Sequence, residues 1–273
     1  MGALVWNFLC IQDKKKIMKY IFLFIIPALF FSCHKNAPDG SLQEFSDNFE
    51  AYSDTNGIVG SADNQWTEYN INEINVSANP VSIDTAIVHS GKKSIRFDCL
   101  QNDPEMKEVC KCNLNKGNLN FRQGETVYYS AWYYIQHQDM HYGTFFVWDL
   151  GQIVEGSLEI RVMAWEENLE LERNKLGMSN IFQEQPAVLF SVNQWAHLEL
   201  EVKLSQHRKG SVKMCLDGKE IINKEDIITM PKDRINMVWG TKGFYERVQC
   251  GITAKNGTQD LIMYMDDVEI RRK

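Results

Sequence analysis

Helical periodicity is nearly missing from this 273-residue chain, and long apolar runs are scarce. The longest, Tyr20–Ser32, has 13 residues, well short of the roughly 20 that span a bilayer as a helix. Basic charge is in deficit: 29 Lys and Arg stand against 36 Asp and Glu, a formal charge of −7. That balance excludes a general binder of nucleic acid or of anionic membranes. Cysteine is sparse at seven, and no histidine cluster accompanies it. Cys110-Lys111-Cys112 is too tight for a standard zinc pair, so the cysteines read as buried or partly paired thiols.

The N-terminus has its own character. Lys14, Lys15, Lys16 and Lys19 precede the apolar run, which has the length of a signal-peptide core. Phe30-Phe31-Ser32-Cys33 then resembles a bacterial lipoprotein signal, which implies lipidation at Cys33. Residues 1–32 are therefore expected to be a signal peptide and residues 33–44 a polar tether. Without the first 32 residues the chain has a formal charge of −10. Five cysteines remain beyond Cys33, and an exported protein allows disulfides among them, with at least one left over.

Beyond the tether the pattern has period two. Ala196, Leu198, Leu200, Val202 and Leu204 alternate with polar residues, as do Val212, Met214 and Leu216 before Asp217-Gly218. Period two means a strand with one buried face, and Asp-Gly between two such runs predicts a tight hairpin. Val81–Val88, Ile95–Asp98, Val127–Ile135, Thr144–Leu150, Ser157–Trp165, Asn168–Arg173, Ala187–Ser191, Arg247–Ala254 and Leu261–Arg271 also read as strands. Residues 102–124, 220–233 and the surroundings of Trp66 read as loop. A dozen short strands separated by turns predict one all-β domain over residues 45–273, an antiparallel β-sandwich.

Three stretches carry a resemblance. Val88-His89-Ser90-Gly91-Lys92-Lys93-Ser94-Ile95-Arg96-Phe97 resembles an early strand and turn of jelly-roll carbohydrate modules and polysaccharide lyases. Trp195-Ala196-His197-Leu198 with Gly210-Ser211-Val212 and Leu216-Asp217-Gly218 resembles the laminin-G and concanavalin A-like pattern. Gly251-Ile252-Thr253 and Met265-Asp266-Asp267-Val268-Glu269-Ile270 resemble the closing strands of jelly-roll polysaccharide lyases. The resemblance implies a concanavalin A-like jelly roll with a ligand groove on one sheet. It also implies a structural calcium between the first and last strands, where Glu50 and Asp267 match.

By alternation, Tyr128, Trp132, Tyr134, Trp148, Glu159, Arg161 and Trp165 face away from the core. These are the expected carbohydrate-binding residues, since rings stack on sugar faces and charged tips bond hydroxyls or carboxylates. A lyase needs a group that neutralises the uronate carboxylate, a base and an acid. Arg161 is the expected neutraliser, with His141, Tyr142 and Tyr134 for proton transfer. Glu170 and Glu172 lie about 7 Å apart along a strand, as hydrolase carboxylates do, yet the Asp of sandwich glucanases is missing.

Three functions follow as expectations. The first is a lipid-anchored envelope protein of the outer membrane that binds a polysaccharide. The second is a lyase cleaving a uronate-containing glycan by β-elimination. The third is a structural or adhesion module with no catalysis.

Overall fold

The structure, a computed structural model, describes residues 42–71, 80–99, 110–140, 142–151, 157–163, 168–183, 190–233, 244–254 and 260–273. Cys33, His141 and Trp165 lie outside the described residues, as do the signal sequence and most of the tether.

Residues 40–273 form one compact unit, built as an antiparallel sandwich of two large sheets. The eight-stranded sheet contains β1 (Glu44–Asp47), β3 (Val81–Asp84), β4 (Ser94–Cys99), β7 (Thr126–Gln136), β12 (Trp195–Lys203), β13 (Gly210–Leu216), β14 (Lys219–Ile227) and β17 (Leu261–Arg272). Its order is β14-β13-β12-β7-β17-β4-β3, and β1 also pairs with β17. The seven-stranded sheet contains β2 (Glu68–Ile71), β5 (Cys110–Lys116), β8 (Thr144–Gly151), β9 (Ser157–Met163), β10 (Asn168–Glu172), β11 (Ile181–Phe182) and β16 (Arg247–Ala254). Its order is β11-β10-β9-β8-β16-β5-β2. A small ribbon pairs β6 (Phe121–Arg122) with β15 (Phe244–Tyr245). This is the all-β sandwich that the alternation predicts.

Alternation also sets the core. Val127, Tyr129, Ala131, Tyr133 and Ile135 of β7 are all buried, as are Leu198, Leu200 and Val202 of β12 and Leu158 and Ile160 of β9. Burying each aliphatic or aromatic side chain contributes about 1.5–3 kcal/mol. Tyr129 crosses the sandwich to Trp148, with ring centroids 5.7 Å apart. Asp217 and Gly218 both have positive φ, 51° and 73°, as the two-residue turn between β13 and β14 requires.

Several expectations are corrected. Residues 219–227, read mostly as loop, form strand β14. Within 102–124, read as loop, β5 alternates Cys110, Cys112 and Leu114 inward with Lys111, Asn113 and Asn115 outward. Trp66 is fully buried, not in an open loop. The strand expected at 81–88 ends at Asp84, and Phe190 and Ser191 are not in a strand. Cys99 and Cys110 form a disulfide that joins β4 of one sheet to β5 of the other.

One polar hub ties the start of the domain together. Asp47 accepts hydrogen bonds from the Phe49 amide (2.8 Å), the Tyr52 hydroxyl (2.9 Å) and the Trp66 indole (2.8 Å). Burial pushes its carboxyl above the usual range, against the pull of those three donors. Phe49, next in line, sits at φ 58°, a strained conformation for a bulky residue. Asp47→Ala strands three buried donors, and is expected to lower unfolding free energy by about 3 kcal/mol in urea melts.

Candidate functional site

The outer face of the seven-stranded sheet is polar, and the strand register arranges it in lines. One line takes a residue from each of six neighbouring strands: Glu68, Asn115, Gln249, Asp149, Glu159 and Glu172. A second runs Lys111, Thr253, Phe146, Arg161, Glu170 and Phe182. Asn70, Asn113 and Gly251 lie between them. Neighbouring amides bond across strands: Asn70 Nδ2 donates to Gln249 Oε1 (2.7 Å), Asn115 Nδ2 to Glu68 Oε1 (2.7 Å) and Asn113 Nδ2 to Thr253 Oγ1 (3.0 Å). Phe182, at the edge of the sheet, is the one large apolar side chain exposed among the described residues.

Two register breaks shape the middle of this face. β8 shifts against β9 between Phe146 and Trp148, and β16 shifts against β8 between Cys250 and Thr253. The extra residue leaves Val147 and Trp148 both buried and reverses the phase of the strand. Trp148, expected on the outside, therefore points into the core. Gly251 sits at the second break with φ 136°, and a Cβ there would meet the Cys112 carbonyl at 2.4 Å. Only glycine fits, and the floor of the face stays open above it.

Beside that floor, Asp149 on β8 pairs with Glu159 on β9. Glu159 is buried and bonded to Ser157 Oγ (3.0 Å) and to Lys175 Nζ. Lys175 comes from a 3-10 turn, Asn174–Leu176, ended by Gly177 in the left-handed conformation. Burial, then repulsion from Glu159, drives the Asp149 carboxyl well above the usual range. Burial also pushes Glu159 up, but its bonds to Asp149, Lys175 and Ser157 outweigh it and hold the carboxyl low. Of the two carboxyls, Glu159 is thus the more readily ionised and Asp149 the less. Among the covered polar atoms of this face, Asn115 Oδ1, Asp149 Oδ1 and Arg247 Nε have no hydrogen-bond partner.

The outer face of the eight-stranded sheet is aromatic, and its rings are occupied. Trp132 lies between two imidazoles, His89 at 3.8 Å and His197 at 4.6 Å, each within 16° of parallel. Arg271 and Lys273 both lie over Tyr128, whose hydroxyl donates to Glu199 (3.1 Å). Tyr134 packs between Trp195 and Tyr264. A sugar stacks on a free ring face, and both faces of Trp132 are taken by local partners.

The expected site residues are thus divided. Tyr128, Trp132 and Tyr134 lie on one sheet, and Glu159 and Arg161 on the other, so no single groove contains all of them. Tyr142, expected as a catalytic group, is fully buried and donates to the Phe190 carbonyl (3.0 Å), its hydroxyl pushed up by burial. Glu170 is buried and accepts from Asn180 Nδ2 (3.3 Å). Sequence reasoning missed Asn115, Asp149, Phe182, Arg247 and Gln249. The alternation of Arg247 and Gln249 with Val248 and Cys250 was the available signal.

Glu50 and Asp267, expected as calcium ligands, both bond the turn that carries His89 to Lys93. Glu50 Oε1 accepts from the Lys92 and Lys93 amides (2.6 and 2.8 Å). Asp267 contacts Ser90 Oγ (2.9 Å) and His89 Nδ1 (2.8 Å). Asp266, with its carboxyl raised to about 6 by burial, accepts from the His89 and Ser90 amides (both 3.1 Å). His89, Asp266 and Asp267 do lie close enough to share an ion. Yet these acceptors are engaged by protein donors, and Lys93 Nζ already donates to the Glu50 and Tyr52 carbonyls (3.0 and 2.5 Å). A half-buried ammonium among carbonyls fits calcium poorly, because calcium needs those oxygens itself.

Comparison with known proteins names the architecture. A family described as polysaccharide lyase matches residues 60–269. The chain belongs to this polysaccharide lyase family. Among solved structures it is similar to an endo-β-1,4-glucuronan lyase from the fungus Trichoderma reesei, with TM-score 0.58, 13% identity, and coverage of 76% of this chain and 91% of that one. It is similar to Cip1, a cellulose-induced protein, with TM-score 0.54, 18% identity and coverage of 82% and 95%. A mutant of the alginate lyase Aly36B in complex with alginate trisaccharide gives TM-score 0.55, 11% identity and coverage of 86% and 100%. At such identities the likeness is one of fold, the jelly-roll sandwich. No curated protein matches the chain.

The two faces make opposite forecasts for a glycan that this protein retains in affinity electrophoresis. Phe182→Ala and Gln249→Ala should weaken retention by about tenfold each, the scale of one lost stacking or hydrogen-bonding contact. Trp132→Phe should leave it unchanged. The reverse pattern would move the site to the eight-stranded sheet.

Proposed function

We propose that this protein is a polysaccharide lyase acting on a uronate-containing glycan laid across the outer face of the seven-stranded sheet. The observation that carries the reading is the set of covered, unpartnered polar atoms on that face, at Asn115, Asp149 and Arg247. Buried polar atoms are almost always paired, and an unpaired set on one face is what a bound polar ligand would satisfy. Family membership supports the reaction class, and the lines of polar residues across the strands suit an extended chain.

β-Elimination removes the C5 proton of a uronate and breaks the bond from C4 to the glycosidic oxygen, which takes up a proton. The carboxylate must be neutralised so that C5 becomes acidic. Arg161 and Arg247 supply positive charge at register positions on this face. Among the described residues, the outer face of this sheet bears carboxyls at Glu68, Asp149, Glu159, Glu170 and Glu172, and neither His nor Tyr. The histidine expected for proton transfer is His141.

The test follows the ultraviolet absorbance of the unsaturated product on a panel of uronic-acid polymers. The expected outcome is a rise that falls at least about a hundredfold in rate in Arg161→Ala and His141→Phe, the scale of one lost catalytic group. A flat trace with every polymer, alongside retention of one of them, would leave a carbohydrate-binding protein as the better account.

Localisation belongs to the same proposal. We infer a lipid anchor at Cys33 that holds the domain at the bacterial outer membrane, supported by the basic cluster, the apolar run and Ser32-Cys33. Cys33→Ala is expected to move the protein from the membrane fraction to the soluble fraction in cell fractionation.

A further inference from the structure

The chain between β1 and β2 has one 3-10 turn, Thr55–Gly57, and no further helix or strand. Two lysine side chains hold it. Lys93 Nζ donates to the carbonyls of Glu50 (3.0 Å) and Tyr52 (2.5 Å). Lys116 Nζ donates to those of Asp63 (2.8 Å) and Gln65 (2.6 Å), and lies over the Phe45 ring at 4.6 Å. In each case one ammonium bridges the carbonyls of two residues that are two apart in the chain, as a bound cation would.

Around Lys93 the arrangement is drawn in from several directions. The Glu50 carboxylate accepts from the Lys92 and Lys93 amides (2.6 and 2.8 Å). Gly91 sits at φ 65°, and a Cβ there would meet Glu50 Oε1 at 2.3 Å, so the carboxylate reaches those amides only over a glycine. Asp267 of β17 bonds the same turn at His89 and Ser90. The segment after the first strand and the last strand thus meet on residues 89–93, the junction where the jelly-roll resemblance implies calcium.

We propose that the Lys93 ammonium is the resident cation of this junction: it stands in for a calcium ion, so that the fold needs no divalent metal, and its removal opens a calcium site. The inference stands apart from the reading of the glycan face. An ammonium is a compact point charge with three donors, and it bridges carbonyl oxygens as a metal ion does. The difference is the tether. A dissociable ion stabilises a fold according to its free concentration relative to its Kd, whereas a side chain is present whatever the medium holds. Calcium would need the two carbonyls that Lys93 already bonds, and would meet repulsion from the ammonium beside them. A carboxylate-rich glycan is itself a source of calcium ligands, and a domain with a covalently attached cation loses nothing to it.

The test is thermal unfolding of the full chain in about 1 mM EDTA and in about 5 mM calcium chloride, where wild type is expected to melt within about 1 °C in the two media. Lys93→Met keeps the stem, leaves two carbonyls without their donor, and should melt about 5 °C lower in both media. Lys93→Asp exchanges the ammonium for oxygen ligands, and a carboxylate holding calcium at about 2.4 Å reaches about as far from the backbone as the lysine nitrogen does. This variant is expected to melt low in EDTA and to gain at least about 5 °C in calcium, with saturable calcium binding by isothermal titration calorimetry that wild type lacks. Lys93→Asn, which adds an oxygen without a charge, repeats this arm if Lys93→Asp does not fold. A calcium-dependent rise in wild type that Glu50→Gln abolishes would overturn the proposal. So would a folded Lys93→Met that melts with wild type, or a folded Lys93→Asp that is indifferent to calcium. None of these readouts involves a glycan, so failure of the lyase reading leaves them unchanged.

Discussion

The register break of β8 against β9 is the constraint from which the polar face takes its form. A regular ladder through Phe146–Trp148 would turn Trp148 outward and bring Asp149 into the core, where a carboxyl has nothing to bond. The inserted residue reverses both. It places a large ring against Tyr129 between the sheets and sets Asp149 beside Glu159 on the outside. Gly251 accommodates the matching shift in β16, because no side chain fits against the Cys112 carbonyl there. One local irregularity thus supplies the core with its tryptophan and the outer face with its titratable pair.

The two outer faces have opposite economies. On the eight-stranded sheet, aromatic and charged side chains pair with one another. Trp132 has an imidazole on each side, and Tyr128 is overlaid by Arg271 and Lys273. Such a surface is satisfied as it stands. On the seven-stranded sheet, amides form partial ladders and leave Asn115 Oδ1 and Arg247 Nε without partners. A folded chain tolerates unpaired buried groups at a cost of about 1–3 kcal/mol each. That cost is recovered where a ligand completes them.

Much of the fold was legible because burial follows alternation. β7, β12, β13, β16 and β17 read correctly from their apolar phase, and Asp217-Gly218 marked its turn. β5 escaped notice because two of its outward residues are amides, which disfavour strands, and two of its inward ones are cysteines. The site was less legible for a different reason. Alternation assigns a side chain to a face of its own strand, and says nothing about which sheet that strand joins. Tyr128 and Glu159 both face away from the core, and yet they stand on opposite sides of the sandwich. The stacking of His89 and His197 on Trp132 joins residues far apart in sequence, beyond what period-two patterns carry. Trp148 was misplaced because a bulge leaves no mark in composition.

The bond between Cys99 and Cys110 spans the two sheets at the one place where the chain passes directly from β4 to β5. Covalent continuity across that passage is therefore double, once through the backbone and once through sulfur. A protease that cut anywhere between the two cysteines would produce no fragments under oxidising conditions. On a denaturing gel the two halves would separate only after reduction.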